Sequence, residues 1–200
     1  TYKKSGNEHI LYCQLETSTS SYFEFNNGIV DSISSFPYYD IPKQCKIFIT
    51  CANKQLGSYP GLAIIGVRKD AWSDLIQDNR MSYLNLYRYY SYGKKNQTPS
   101  TAPTHLFNHL NKILRKFNII ELRNKINNMS DLLVNSIGSS YIIGEKRCPV
   151  ITVNKDIIPI EIANKYQLYG INTDSENYQF FTYSCDEKVY KKFCKELCQY

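Results

Sequence analysis

The stretch that decides the fold is KIFITCANKQLGSYPGLAIIGV, which occupies residues 46–67. It begins and ends with short apolar runs, at residues 46–51 and 62–67. Between them lie the polar pair Asn53 and Lys54 and the chain-breaking sequence Gly-Ser-Tyr-Pro-Gly. Short continuous apolar runs bounded by breakers are typical of strands that are buried on both faces of an α/β sheet. The pattern therefore predicts two strands, with Lys54 following the carboxyl end of the first.

Two further apolar runs precede this stretch, and each ends in polar residues. Residues 9–15 are followed by Ser18 and Thr19, and residues 28–30 are followed by Asp31. Ligands of open α/β sheets bind at the carboxyl ends of the strands. A carboxylate at the end of a buried strand needs a cationic partner, because burying an unpaired charge is costly. We therefore expect Asp31 to lie near Lys54.

A carboxylate and a lysine at neighbouring strand ends are the minimum equipment for binding pyridoxal 5'-phosphate. The lysine amine forms a Schiff base with the aldehyde, and the carboxylate keeps the pyridine nitrogen protonated so that the ring accepts carbanion electrons. Hydroxyls such as those of Ser18 or Thr19 could hold the ring oxygen. A lysine at a strand end is, taken alone, more often an ion-paired surface residue, and the accompanying Asp31 is what favours the cofactor.

The pattern of hydrophobic residues along the sequence changes near residue 100. Before that point we expect a short helix at residues 70–78 and a Tyr-rich loop at 81–97. After it, hydrophobic spacing and glycine stops predict helices at 104–117, 119–137, 160–169 and 186–198, with strands at 150–153 and 178–183. The sequence thus predicts two domains: 1–100, which is part of an α/β sheet, and 101–200, a small α+β domain with an antiparallel sheet.

Composition excludes several classes of protein. The 200 residues are 42% hydrophobic and 21% charged, which is ordinary for a globular chain, and the longest apolar run is too short to span a membrane. The net charge of +6 comes from scattered residues, so we expect no nucleic-acid partner; the cationic, Tyr-rich run at 87–95 is interpreted as an exposed loop. The seven cysteines contain no C-x-x-C pair, and His105 and His109 lack a third ligand. We expect a cytoplasmic protein with reduced cysteines and no metal.

Several motifs resemble, in order, those of the class V, fold-type I aminotransferases, which use pyridoxal phosphate. They are IVDSISSF at 29–36, ANKQLGSYPGL at 52–62, TAPTH at 101–105, ETST at 16–19 and YLNLY at 83–87. The resemblance runs from about residue 9 to the end and is weak beyond residue 105. It is greatest to the 2-aminoethylphosphonate–pyruvate aminotransferases. It implies a fragment of this fold, with residues 1–100 as the C-terminal half of the large domain and 101–200 as the small domain.

The resemblance also implies roles for individual residues. Lys54 resembles the Schiff-base lysine, Asp31 the partner of the pyridine nitrogen, and Ser18 the hydroxyl that contacts the ring. Thr101 matches a hydroxyl that binds the cofactor phosphate of the partner subunit, which implies a homodimer with shared active sites. Asn53, where the related cysteine desulfurases have histidine, argues against that activity. The implied reaction passes an amino group from 2-aminoethylphosphonate, or a similar primary amine, to pyruvate.

The departures from the family pattern leave a second hypothesis open. Residues 20–27 are too few for the usual crossover helix, and the family's phosphate-binding Gly/Ser loop has no counterpart in the sequence. Gln179 stands where the family has an arginine that forks onto the substrate carboxylate. A neutral amide cannot form that charge-assisted pair, which should cost about 1.5–3 kcal/mol of anion binding. The alternative is therefore a catalytically inactive aminotransferase-like domain that serves dimerisation or interaction in a longer protein.

Overall fold

The computed structural model describes residues 11–24, 28–74 and 84–200. In chain order the strands are β1 (Leu11–Cys13), β2 (Leu15–Glu16), β3 (Ser21–Tyr22), β4 (Ile29–Asp31), β5 (Ile47–Cys51), β6 (Ala63–Val67), β7 (Ile142–Ile143), β8 (Val150–Asn154) and β9 (Asn177–Phe181). The helices are α1 (Leu86–Gly93), α2 (Thr104–Leu114), α3 (Ile119–Ile137), α4 (Ile160–Lys165) and α5 (Glu187–Leu197). These elements form a four-stranded mixed sheet, a small hairpin and a three-stranded antiparallel sheet.

The four-stranded sheet has the order β1-β4-β5-β6. Strands β1, β4 and β5 are parallel, and β6 runs antiparallel to β5 because the Gly-Ser-Tyr-Pro-Gly turn reverses the chain. The predicted strands at 28–30, 46–51 and 62–67 are confirmed. The predicted strand at 9–15 is broken at Gln14, whose buried side chain bonds to the carbonyl oxygen of Asp40 (2.9 Å) and to Ser35 Oγ. Residues 9 and 10 lie outside the described residues.

The expectation that these strands are buried on both faces is wrong. Within the four-stranded sheet only Val30 and Thr50 are fully buried, and Ala63 and Ile65 of β6 are exposed. Strand β6 lies at the edge of the sheet, with β5 as its neighbour. An apolar run at a sheet edge looks the same in the sequence as one in the middle.

Between the parallel neighbours β1 and β4, the described residues 14–24 contain a hairpin instead of a helix. Strands β2 and β3 pair in antiparallel fashion through the turn at residues 17–20. The turn reaches the C-terminal half of the chain, since Ser20 Oγ donates to the carbonyl oxygen of Val150 (2.8 Å). Gly144 packs against the same turn, and a Cβ at that position would lie 2.2 Å from the carbonyl oxygen of Thr19. The hairpin therefore joins the two halves of the molecule.

The second half is an α+β unit, as expected. Strands β7, β8 and β9 form an antiparallel sheet, and α3 and α5 pack against each other over it. Helix α3 begins at the Asn118 cap and ends at Gly138, whose φ of 90° is unfavourable for other residues. Helix α5 begins at the Asp186 cap. The core contains apolar side chains from both layers, among them Met129, Leu133, Ile151, Val153, Phe180 and Phe193.

Three local predictions need correction. Residues 86–93 form helix α1 rather than a loop, because the Asn85 side chain caps it and the Trp72 ring stacks on Tyr90 at 4.5 Å. The helix predicted at 70–78 is a 3-10 helix at Lys69–Asp74, and residues 75–83 lie outside the described residues. Helix α4 ends at Lys165, four residues before the expected Tyr169. No helix among the described residues is long and apolar enough to cross a membrane.

Candidate pyridoxal phosphate site

Asp31 and Lys54 lie at the same edge of the four-stranded sheet. Asp31 is the last residue of β4 and pairs in register with Ile49 of the parallel strand β5, so both strands end at this edge. Lys54 follows the end of β5 by a three-residue turn. Its Nζ donates a hydrogen bond to Ser34 Oγ (2.7 Å), three residues beyond Asp31. The two strand ends thus lie at one edge of the sheet, but Lys54 Nζ contacts Ser34 and forms no ion pair with Asp31 among the described residues, so the shared role of the two residues stays a prediction.

The thiol of Cys13 interacts electrostatically with both Asp31 and Lys54. Cys13 ends β1 and is the register partner of Asp31. Burial raises the pKa of its thiol, the negative charges of Asp31 and Glu16 raise the pKa further, and the positive charge of Lys54 lowers it. A thiol with a raised pKa stays protonated at neutral pH, which argues against a nucleophilic role for Cys13.

The loop that carries Lys54 is closed by its own backbone. The amide of Gly57 donates to the carbonyl oxygen of Lys54 (2.9 Å), and the amide of Ser58 donates to the carbonyl oxygen of Ala52 (2.9 Å). Gly57 has a φ of 72°, which suits glycine in a tight turn. The Ala52 amide in turn bonds to the carbonyl oxygen of Leu62 (3.1 Å). These hydrogen bonds fix the backbone of the loop and therefore the direction in which the Lys54 side chain extends from it.

Gln55 ties this loop to the segment that follows Asp31. Its side chain is 5% exposed; the amide nitrogen donates to the carbonyl oxygen of Ser34 (2.6 Å), and Oε1 accepts from the Tyr38 amide (3.0 Å). Asp31 Oδ1 accepts from the Ile33 amide (2.9 Å) within the same segment. A buried amide with both ends satisfied holds two loops at a fixed separation.

Helix α2 supports the far side of the Lys54 loop. His109 Nδ1 lies 3.1 Å from Ser58 Oγ, and the His109 ring stacks on Tyr59 with centroids 3.9 Å apart. His105, one turn earlier, is exposed. The histidine pair that could have suggested a metal site therefore serves, through His109, as a contact between α2 and this loop.

Ser18 and Gln179 come together at the hairpin turn. Ser18 is exposed, and its hydroxyl donates to Glu16 Oε1 (2.8 Å). Gln179 of β9 donates from Nε2 to the carbonyl oxygen of Thr17 (2.9 Å), and Thr152 Oγ1 donates to the same oxygen (2.7 Å). The amide at the family's arginine position therefore reaches the Ser18 turn, but its donor is used to hold the backbone.

Thr101 lies apart from this cluster. It is exposed, in the extended segment that precedes α2. Its implied contact is with a partner subunit, so it stays a prediction.

The chemistry of the donor set fits the ring and aldehyde of pyridoxal phosphate. The sheet edge offers one amine (Lys54), one carboxylate (Asp31) and one hydroxyl (Ser34), and none of the three is fully buried. Sequence reasoning missed Ser34 and Gln55. The signal for Ser34 was present in the Asp-Ser-Ile-Ser-Ser motif, but that motif contains three serines and nothing in the sequence says which one faces the lysine. The sequence contained no pattern that indicated a role for Gln55.

Comparisons with known proteins come from structure alone, because no family model and no curated protein sequence matches the chain. The fold is similar to an aspartate aminotransferase of subgroup IV from Thermus thermophilus, with a TM-score of 0.78, 14% identity, and coverage of 97% of this chain and 66% of that one. It is also similar to a phosphoserine aminotransferase from Cytophaga hutchinsonii, with a TM-score of 0.74, 18% identity, and coverage of 98% of this chain and 65% of that one. A third similar structure is an alanine–glyoxylate aminotransferase from Nostoc sp., with a TM-score of 0.71, 18% identity, and coverage of 94% of this chain and 60% of that one.

The chain spans less than two thirds of the length of each of these aminotransferases, while nearly all of it superposes on them. The chain has the fold of part of a fold-type I, pyridoxal-phosphate-dependent aminotransferase.

Proposed function

We propose that this chain is the lysine-bearing part of a pyridoxal-phosphate-dependent aminotransferase. The observation that carries the proposal is the placement of Asp31 and Lys54 at adjacent parallel strand ends, with Lys54 Nζ bonded to the segment that follows Asp31. Structural similarity to aminotransferases supports it, but at 14–18% identity that similarity speaks for the fold only.

The residues at the sheet edge have distinct tasks in this proposal. Lys54 binds the cofactor covalently through Nζ and, once free, is the base that removes a proton from the carbon bearing the substrate's amino group. Asp31 would hold the pyridine nitrogen of the cofactor in its protonated form. When bound, the cofactor supplies an electron sink for the carbanion. The closed backbone of the Lys54 loop orients the amine before any substrate arrives.

For the substrates we propose a primary amine such as 2-aminoethylphosphonate and pyruvate as the acceptor. The amino group and one hydrogen would pass to pyruvate, which becomes alanine, and the donor would become the corresponding aldehyde. The support is the sequence resemblance described above. Gln179 would lie near the acceptor, as the arginine position implies, and its neutral amide predicts weak binding of the acceptor carboxylate.

We further propose that the active protein is a cytoplasmic homodimer in which Thr101 reaches the cofactor phosphate of the partner subunit. The exposure of Thr101 is compatible with an intersubunit role.

A catalytically inactive domain is the second candidate. It is favoured by one specific observation: the side-chain amide of Gln179 donates from Nε2 to the carbonyl oxygen of Thr17, so it contacts the hairpin backbone. In that case the hairpin contact would serve the assembly of the molecule rather than the recognition of a substrate.

The test is a spectroscopic titration of the purified protein with pyridoxal phosphate. We expect a visible absorption band that saturates at one cofactor per chain and is missing in Lys54→Ala. Lys46→Ala, which changes a lysine on the same sheet, should keep the band. A protein that develops no visible band at saturating cofactor would overturn the aminotransferase proposal and leave the inactive domain.

A further inference from the structure

A lysine that serves first as an attachment point and then as a base must be held in place whenever its amine is free. We propose that Ser34 is the positioning residue that holds it, so that Ser34 Oγ keeps Lys54 Nζ directed at the reacting atoms. This inference rests on the proposed function. It adds a residue to the site that the motif-derived roles of Lys54, Asp31, Ser18, Thr101 and Gln179 do not include.

The contact itself is short and joins two loops that are distant in sequence. Lys54 Nζ lies 2.7 Å from Ser34 Oγ, across 20 residues. Ser34 lies in a turn that is fixed on both sides: Asp31 Oδ1 accepts from the Ile33 amide, and the Phe36 amide donates to the carbonyl oxygen of Ser32 (3.0 Å). The hydroxyl is therefore presented from a rigid backbone, next to the carboxylate that is expected to face the ring nitrogen.

The neighbour of Lys54 keeps the two loops in register. Gln55 donates to the carbonyl oxygen of Ser34 (2.6 Å), so two consecutive residues contact Ser34, one at its side chain and one at its backbone. The separation between Ser34 and the Lys54 backbone does not depend on the lysine side chain. The amine can leave and return while its acceptor stays where it is.

The other serines of the same turn do not take this role. Ser35 Oγ donates to Gln14 Oε1 on the other side of the turn. Ser32 is fully buried, and its hydroxyl has no hydrogen-bond partner among the described residues. Only Ser34, of these three, contacts the amine.

A hydroxyl suits the task because it can both donate and accept. It accepts a hydrogen bond from the ammonium form of Lys54, and it can donate one to the neutral amine, so the contact survives a change in the proton count of Nζ. The substitution Ser34→Ala would remove the contact with both the ammonium and the neutral amine form of Lys54. The substitution Ser34→Thr keeps a hydroxyl and therefore keeps the hydrogen bond to Lys54.

The experiment compares Ser34→Ala, Ser34→Thr and the wild-type protein, with Ser140→Ala as a control on an exposed serine far away in sequence. Without cofactor, all lysines are labelled with an amine-reactive reagent and the rate at Lys54 is read by mass spectrometry. We expect Lys54 to be labelled about three- to tenfold faster in Ser34→Ala, because one hydrogen bond holds it, and at the wild-type rate in Ser34→Thr.

With pyridoxal phosphate and an amine donor, Ser34→Ala should lower kcat by about tenfold and change KM little, and Ser34→Thr should recover most of kcat. An unchanged labelling rate at Lys54 in Ser34→Ala, or equal losses in the alanine and threonine variants, would overturn the role of Ser34. A faster labelling rate in a protein that never binds pyridoxal phosphate would instead leave the Ser34 contact standing and overturn the proposed function, so the two failures are distinguishable.

Discussion

Gln179 and Thr17, 162 residues apart in sequence, are joined by a 2.9 Å hydrogen bond from the glutamine amide to the threonine carbonyl oxygen. This bond, together with the one from Thr152 to the same oxygen, holds the hairpin turn against the three-stranded sheet. It also occupies the side chain that stands at the position of the family's substrate-binding arginine. Under the proposed function the same position would also face the acceptor carboxylate, so a substitution at position 179 tests that role.

The substitution Gln179→Arg tests directly whether this position can bind the acceptor carboxylate. Gln179→Arg places a guanidinium near the hairpin turn, and we expect the KM for pyruvate to fall by about tenfold, since a charge-assisted pair contributes about 1.5–3 kcal/mol. Gln179→Leu should not lower the KM and should only weaken the hairpin contact. Steady-state kinetics of the loaded protein give the answer. Equal KM values in wild type and Gln179→Arg would show that this position does not face the acceptor.

The buried amide of Gln55 predicts a loss of stability. Gln55→Leu leaves the carbonyl oxygen of Ser34 and the amide of Tyr38 without partners in a buried site, and we expect the free energy of unfolding to fall by about 1–3 kcal/mol. Urea unfolding measures it. Gln199→Leu, at an exposed position, is the matched control and should change stability by less than about 0.5 kcal/mol. If the two variants behave alike, Gln55 does not join the loops.

Gly144 and Gly57 form a natural pair for testing the hairpin contact. Both have a φ of 72°, but a Cβ at Gly57 meets nothing within 4 Å, whereas one at Gly144 would lie 2.2 Å from the carbonyl oxygen of Thr19. Both alanine variants pay the conformational cost of about 1 kcal/mol, and Gly144→Ala should lose about 1–3 kcal/mol more because the hairpin must move. Thermal or urea unfolding compares them. Equal losses would mean that the hairpin is not packed against Gly144.

The thiol of Cys148 predicts a decrease of stability at alkaline pH. Burial raises its pKa to about 12 from an ordinary value near 9. The folded chain therefore binds more protons than the unfolded chain between these values, so stability is fully present below about pH 9 and falls as the pH rises toward 12. The loss from this group is on the order of 4 kcal/mol at most.

Cys148→Ala should flatten that part of the stability curve, whereas Cys198→Ala, at an exposed cysteine, should leave its slope unchanged. Urea unfolding at a series of pH values measures both slopes. A wild-type slope that persists in Cys148→Ala would assign the alkaline sensitivity to another group; Tyr183, whose pKa burial also raises to about 12, is the first to examine.

The parts of the fold that the sequence predicted well are those where a local signal coincides with a packing requirement. The sequence predicted α3 from its apolar spacing and from Gly138, at which the helix ends in the structure. Strands β5 and β6 follow from apolar runs separated by chain breakers. These signals act within a few residues, so they can be recognised without knowing the tertiary structure.

The failures have a different cause. Helix α1 was missed because its Tyr-rich sequence was interpreted as an exposed loop. The stacking of Tyr90 on Trp72, a contact between separate segments, supports the helix. In the candidate site, Asp31 and Lys54 were found from their chemistry at strand ends, but Ser34 and Gln55 act through contacts between loops. Such contacts depend on how two loops face each other, and no spacing in the sequence encodes that.

The central claim, that Lys54 and Asp31 serve one pyridoxal ring, is tested most directly by reducing the protein–pyridoxal phosphate complex with borohydride and mapping the modified peptide by mass spectrometry. We predict one adduct per chain at Lys54, no adduct in Lys54→Arg, and a weakened adduct yield at limiting cofactor in Asp31→Asn. An adduct spread over surface lysines, with Lys54 unmodified, would contradict the claim.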